Sequence, residues 1–150
     1  VFFSDFCLEK EEEIFFGLKN GLYDVIGLGY GCFEASEYVF AQIQKQKRMQ
    51  KLLLISPIID IEAYRQNIMP IYQNSPYQGY LKKDKKVNVG QWDKERLEFI
   101  ARNEVKIEVY LGRENKEYQD ILELFGSFAL IYCFNRVAFP LVEELKIFKK

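Results

Sequence analysis

Histidine does not occur once in these 150 residues. Its absence removes the side chain whose ordinary pKa lies nearest neutral pH, the usual general base of acyl transfer and the commonest nitrogen ligand of metals. Cysteine is scarce as well: Cys7, Cys32 and Cys133 are odd in number, far apart, and lack C-x-x-C spacing. That pattern excludes a disulfide framework and a thiolate metal site, and it fits reduced thiols in a cytoplasmic protein. No apolar run approaches the roughly 20 residues a bilayer-crossing helix needs, so no membrane partner is expected. The opening Val1-Phe2-Phe3 is broken by Ser4 and Asp5, so it does not read as a secretory signal. A net charge of −1 leaves too little cation excess for a face that binds nucleic acid.

What is present is apolar and aromatic. With 49% hydrophobic residues, the chain can build one core, and a single domain over residues 1–150 is expected. Four short apolar runs, residues 22–27, 51–56, 105–112 and 128–134, are continuous rather than alternating, as strands buried on both faces are. Residues 2–7 read as a fifth. Between them lie segments of helical period. Tyr118, Ile121, Leu122 and Phe125 fall at i, i+3, i+4 and i+7, and Gly126 follows where a helix end favours a left-handed residue. Cys32, Ala35, Ser36, Val39, Phe40 and Ile43 form one face of a longer helix. Asp93 suits an N-cap, with Trp92 and Leu97 spaced as a hydrophobic staple. Residues 9–19 are expected to be helical, and so is a last segment opened by Pro140 and carrying Leu141, Leu145 and Phe148.

Strand and helix thus alternate, which predicts an α/β fold: a mostly parallel sheet of about five strands flanked by helices. Residues 57–91 break the alternation. They hold Pro70, Pro76, Gly79, Gly90, four tyrosines (Tyr64, Tyr72, Tyr77, Tyr80) and a lysine cluster, and a connection of that length reads as a lid-like insertion. Its tyrosines either line an acyl pocket or pack the lid.

The most specific local feature is the run Tyr23-Asp24-Val25-Ile26-Gly27-Leu28-Gly29-Tyr30-Gly31, a strand passing into a helix through glycines two apart. The third glycine of a dinucleotide fingerprint and the Gly-Lys-Ser/Thr of a phosphate loop are both missing, so no cofactor is implied. The run is similar instead to the Gly-x-Ser-x-Gly elbow of α/β-hydrolases, where small flanking residues permit a sharp turn that lifts a serine above the sheet. Here Gly27 and Gly31 are the flanks and Gly29 stands at the centre.

From this anchor the chain resembles, along most of its length, the small α/β-hydrolase-like pimeloyl-acyl-carrier-protein methyl ester esterases of biotin synthesis. Phe2-Phe3-Ser4-Asp5-Phe6 looks like their first strand and oxyanion loop. Leu52-Leu53-Leu54-Ile55-Ser56-Pro57 looks like the strand after the elbow, Val109-Tyr110-Leu111-Gly112 like the strand that delivers the triad acid, and residues 131–141 like the segment that delivers the histidine. The resemblance places Gly29 at the nucleophile, Asn115 at the acid (Glu114 with a one-residue shift) and Phe139 at the histidine. None of the three can perform its role, so the resemblance implies a reduced hydrolase plan with a degenerate triad.

Loss of a triad leaves substrate binding and the oxyanion hole, worth roughly 10³ to 10⁴ over water in enzymes where this has been dissected. By the resemblance, that hole would use backbone N–H groups of Tyr30 and of the Asp5-Phe6 loop. Ser56, at a strand's C-terminal end where α/β sites gather, is the further ligand-binding candidate. It is also a candidate relocated nucleophile, as Cys32 is, with Asp60 or Glu114 as base. Lys82, Lys83, Lys85 and Lys86 are either ordinary solvated surface or, as the resemblance implies, a landing site for an acidic acyl carrier protein. The expected function is acyl-ester or acyl-carrier binding without hydrolysis. The alternatives are an active ester hydrolase using relocated residues and a purely structural or interaction domain.

Overall fold

Short runs of valine, isoleucine and leucine become central strands when both of their faces can be covered. In the computed structural model, which describes residues 2–4, 23–29, 31–60, 62, 66, 70 and 91–134, five such runs form strands. They are β1 (Phe2–Ser4), β2 (Val25–Leu28), β3 (Lys51–Ile55), β4 (Lys106–Gly112) and β5 (Leu130–Phe134). Each pairs in parallel with the next, in the order β1-β2-β3-β4-β5. The five expected strands are all present, each within the run that predicted it or extending it by one residue.

The helices are α1 (Gly31–Gln44), α2 (Lys94–Arg102) and α3 (Tyr118–Phe125). A parallel sheet whose strands follow one another in sequence, joined by right-handed crossovers, carries every connection on the same side. The described helices obey this rule: α1 packs on α2, and α2 on α3. Beneath them the register aligns Val25 with Leu52 and Ile107, and Leu54 with Val109 and Ile131. With Cys32, Ala35, Val39, Leu97, Ile100, Ile121 and Phe125 these residues form the main core, Ile131 packing half-buried against it. On the opposite face Ile26, Leu28, Leu53 and Ile55 are also buried, which explains why the strands read as continuous apolar runs.

The helix ends follow local chemistry with one departure. Asp93 caps α2 as its sequence position predicts, accepting the Glu95 N–H at 2.9 Å. Gly126, expected to end α3 in a left-handed conformation, has φ −61° and ψ −22° instead. Glycine is required there for a different reason: a Cβ would stand 2.5 Å from the Leu122 carbonyl oxygen. The left-handed helix ends fall to Gln46 (φ 61°) after α1 and Glu104 (φ 63°) after α2.

Most of the 57–91 insertion, the expected helices over residues 9–19 and after Pro140, and Cys7 lie outside the described residues. Among the described residues no helix is long and apolar enough to cross a membrane.

Candidate functional site

The C-terminal ends of β2, β3 and β4 lie side by side, the edge at which parallel sheets bind ligands. Gly29 follows directly on β2 with φ 59°, in the region where a side chain costs about 1–2 kcal/mol. Its N–H donates to the Ile55 carbonyl (2.9 Å), and its own carbonyl accepts from the Cys32 N–H of α1 (3.2 Å). The chain therefore turns from strand to helix within two residues. Gly27 makes that turn possible. A Cβ on it would lie 2.6 Å from Cys32 Cα, 2.9 Å from the Gly31 oxygen and 3.0 Å from Ala35 Cβ, so the first turn of α1 sits on bare backbone.

One strand over, Ser56 ends β3 and is buried, its N–H donating to the Tyr110 carbonyl at 2.8 Å. Its φ is 50°. Unlike Gln46 and Glu104, it ends no helix, and it precedes Pro57, where a residue is normally pushed into extended conformations. Non-glycine residues held this way store about 1–3 kcal/mol and cluster at functional sites.

The third strand end is the loop from β4 into α3. Asn115 is buried, and its Oδ1 accepts the Glu117 N–H at 2.9 Å, an Asx turn that fixes which end of the amide faces the backbone. Its Nδ2 meets no acceptor among the described residues. Glu117, also buried, accepts the N–H of Asp60 (2.8 Å) and of Ile59 (3.4 Å), clamping the loop after β3 to the start of α3. Loss of water around the carboxylate raises its pKa. The two N–H donors oppose that rise, and the charges of Asp60 and Asp120 add to it.

Beside the clamped loop a groove of about 390 Å³ is lined by Ile59, Gln91, Trp92, Lys94, Asp120, Glu123 and Leu124. Its size falls within the usual range of small-ligand sites. Trp92 is fixed there by donation from Nε1 to the Ile58 carbonyl (2.8 Å) and by edge contacts to Phe33 and Phe125. Ile59, Trp92 and Leu124 give the groove apolar surface, while Asp120 and Glu123 put acid on its rim.

No protein-family model matches the chain, and no curated protein matches it. Among solved structures it is similar to carboxyl esterase 2 of the mycorrhizal fungus Tuber melanosporum, with a TM-score of 0.44 and 12% identity. The likeness covers 81% of this chain and 47% of the esterase. The chain thus spans about half the length of that enzyme.

Of the residues singled out in the sequence, the structure brings Gly29, Ser56 and Asn115 to one end of the sheet, on three adjacent strands. Glu114 is exposed. Cys32 is fully buried, with its thiol donating to the Ile55 carbonyl at 3.3 Å, so it is closed off from any ligand at the sheet edge. Cys133 lies 3.4 Å from the Tyr118 hydroxyl. Asp5, Phe6, Tyr30, Phe139, Lys82, Lys83, Lys85 and Lys86 lie outside the described residues. Among the described residues no group of carboxylates and thiols has the arrangement of a metal site. Sequence reasoning missed Glu117. Its only local signal is an acid just before an amphipathic helix, and the contact that gives it a role comes from residues 59–60, more than 50 positions away.

Proposed function

We propose that this chain binds an acyl ester, free or on an acyl carrier protein, and does not cleave it. In this reading it is a non-catalytic relative of the pimeloyl-acyl-carrier-protein methyl ester esterases of biotin synthesis, acting in the cytoplasm. The observation that carries the reading is Gly29: a strand turns sharply into a helix with φ 59° at the point where a nucleophile's side chain would rise, and the residue there has none. The sequence contains no histidine to activate one. Backbone donors and a groove survive such losses, so binding outlives chemistry. The groove between Ile59, Trp92 and Leu124 offers apolar surface for the acyl chain, and Lys82 to Lys86 offer cations to an acidic carrier.

The reading is tested with purified protein, p-nitrophenyl butyrate and hexanoyl-loaded acyl carrier protein. No turnover above buffer and saturable binding of the loaded carrier, weakened by Lys→Glu changes at 82, 83, 85 and 86, are the expected results. Steady turnover sinks it.

Ser56 favours a second reading, an ester hydrolase with a relocated nucleophile, because its left-handed φ of 50° at a strand end is the kind of strain that catalytic serines carry. Turnover that disappears in Ser56→Ala would establish that reading in place of the first.

A further inference from the structure

A buried donor with nothing to donate to needs an explanation, since more than nine in ten buried polar groups are satisfied. Asn115 is 5% exposed, and its Nδ2 is the only such orphan among the described residues. The amide cannot be turned round to cure this. Oδ1 is held by the Glu117 N–H at 2.9 Å, and reversing the group would set two donors face to face. The orphan therefore has a fixed chemical sense: it offers N–H and calls for an oxygen acceptor.

Its position narrows the choice of acceptor. The loop that carries it leaves β4 at the C-terminal edge, next to the strand ends occupied by Ser56 and Gly29. Neighbouring strands are about 4.8 Å apart, so the β2 and β4 ends are separated by roughly 10 Å. The one charged side chain buried at this loop is acidic. Glu117 is buried two residues on, Asp60 and Asp120 act on it electrostatically, and Glu123 shares the groove rim with Asp120, balanced there by Lys94. Arg113, Glu114 and Lys116 of the same loop are exposed, as Asp60, Asp120 and Glu123 are, so water screens them and the buried Glu117 dominates. A free carboxylate or a phosphate arriving at Asn115 would meet like charge in a desolvated place. A neutral carbonyl would not.

We infer that the Asn115 side-chain amide is a ligand-recognition group, donating from Nδ2 to the carbonyl oxygen of a neutral ester or thioester and selecting it over the corresponding free acid. This rests on the acyl-binding reading and gives it a chemical preference. Where the family resemblance places a carboxylate that accepts a hydrogen bond from the histidine, this chain carries a side chain that can donate one. No bond is made or broken.

The test uses methyl hexanoate and sodium hexanoate as probes with the full chain, followed by calorimetric titration and by the Asn115 side-chain amide signals in ¹H–¹⁵N spectra. Methyl hexanoate should bind at least tenfold more tightly than hexanoate at pH 7 and shift both Asn115 Nδ2 proton signals. Asn115→Ala should weaken ester binding about tenfold or more and remove the ester preference. Asn115→Asp keeps the acceptor to Glu117 N–H and removes the donor, so it should weaken the ester equally; where Asp fails to fold beside Glu117, the alanine variant and the amide signals decide. Equal binding of ester and acid, or an ester that binds the alanine variant undiminished, overturns the inference and leaves the acyl-binding reading standing. An Asn115 amide that shows a bound-water contact and ignores the ester overturns it too. Failure of the wild-type chain to bind either probe overturns both.

Discussion

Glycine 29 and glutamate 117 show how much one residue decides here. A hydroxyl introduced by Gly29→Ser would sit at φ 59°, and the variant is expected to fold with a loss of about 1–2 kcal/mol, read as a lowered urea midpoint. It is expected to hydrolyse no p-nitrophenyl butyrate, because a serine without an imidazole beside it stays protonated. Pre-steady-state release of p-nitrophenol would show that some other group activates it. Glu117 makes a prediction in pH. Burial raises its folded-state pKa above the ordinary 4.5, so the folded state holds this proton more tightly than the unfolded chain does. The stabilisation is fully present below pH 4.5 and is lost as pH rises through the higher folded value. In melting curves from pH 7 down to pH 4, the wild-type chain should therefore gain stability relative to Glu117→Gln. A constant difference between the two would remove the raised pKa from the account.

At the scale of elements, the junction of β2 and α1 depends on close approach rather than on a contact. Gly27→Ala places a methyl 2.6 Å from Cys32 Cα and 2.9 Å from the Gly31 oxygen, both backbone atoms of the helix start that cannot rotate away. A loss of about 1–3 kcal/mol follows from overpacking, with a shifted denaturation midpoint as the measurement. The ester binding proposed for this edge should weaken with it, since α1 must move. By contrast Asp93→Ala removes one capping acceptor from α2 and should cost about 1 kcal/mol, read in the same denaturation midpoint. These elements were legible in the sequence for stated reasons. The strands were found because both faces of the sheet are apolar at β2 and β3, and α2 because Asp93 and Trp92 mark its start. Gly27, Gly29 and Gly31 gave the turn itself. The Gly126 conformation was misjudged, because sequence shows only that a glycine follows a helix, and both a left-handed turn and a carbonyl pressed on Cα ask for glycine. The strained Ser56 and the clamp made by Glu117 left no local trace. The first runs against what Ser-Pro favours, and the second depends on two loops that only the fold brings together.

Taken as a whole, the molecule concentrates its stability in the inner strands of the sheet. The strands in the middle of the sheet carry the fully buried residues Leu52, Leu53, Leu54, Ile55, Val109 and Leu111, and β3 is bonded to β2 on one side and β4 on the other. Toward β5 the cover thins: Leu130 is 48% and Tyr132 42% exposed, with Tyr132 stacked on Tyr110 at 4.8 Å between ring centroids. On the same face Tyr23 donates its hydroxyl to Glu108, which also pairs with Lys106 at 3.3 Å, a polar patch where the inner strands have only leucine and isoleucine. Burial and that acid partner both push the Tyr23 pKa upward, so its hydroxyl stays a donor across the physiological range. Amide hydrogens open locally with free energies set by how much packing each opening exposes. The amides of residues 52–55 should therefore exchange only through global unfolding, at a free energy equal to that from denaturant titration. Those of residues 130–133 should exchange by smaller openings, at least tenfold faster. Loop amides 113, 114 and 116 should be faster still in the free protein and should slow when methyl hexanoate is added, whereas those of Asn115 and Glu117 are held by the Gly112 carbonyl and by the Asn115 side chain. If protection proves uniform along the sheet, the division between rigid inner strands and a more open β5 side is wrong. The groove and the strand ends would then have to accept a ligand without moving.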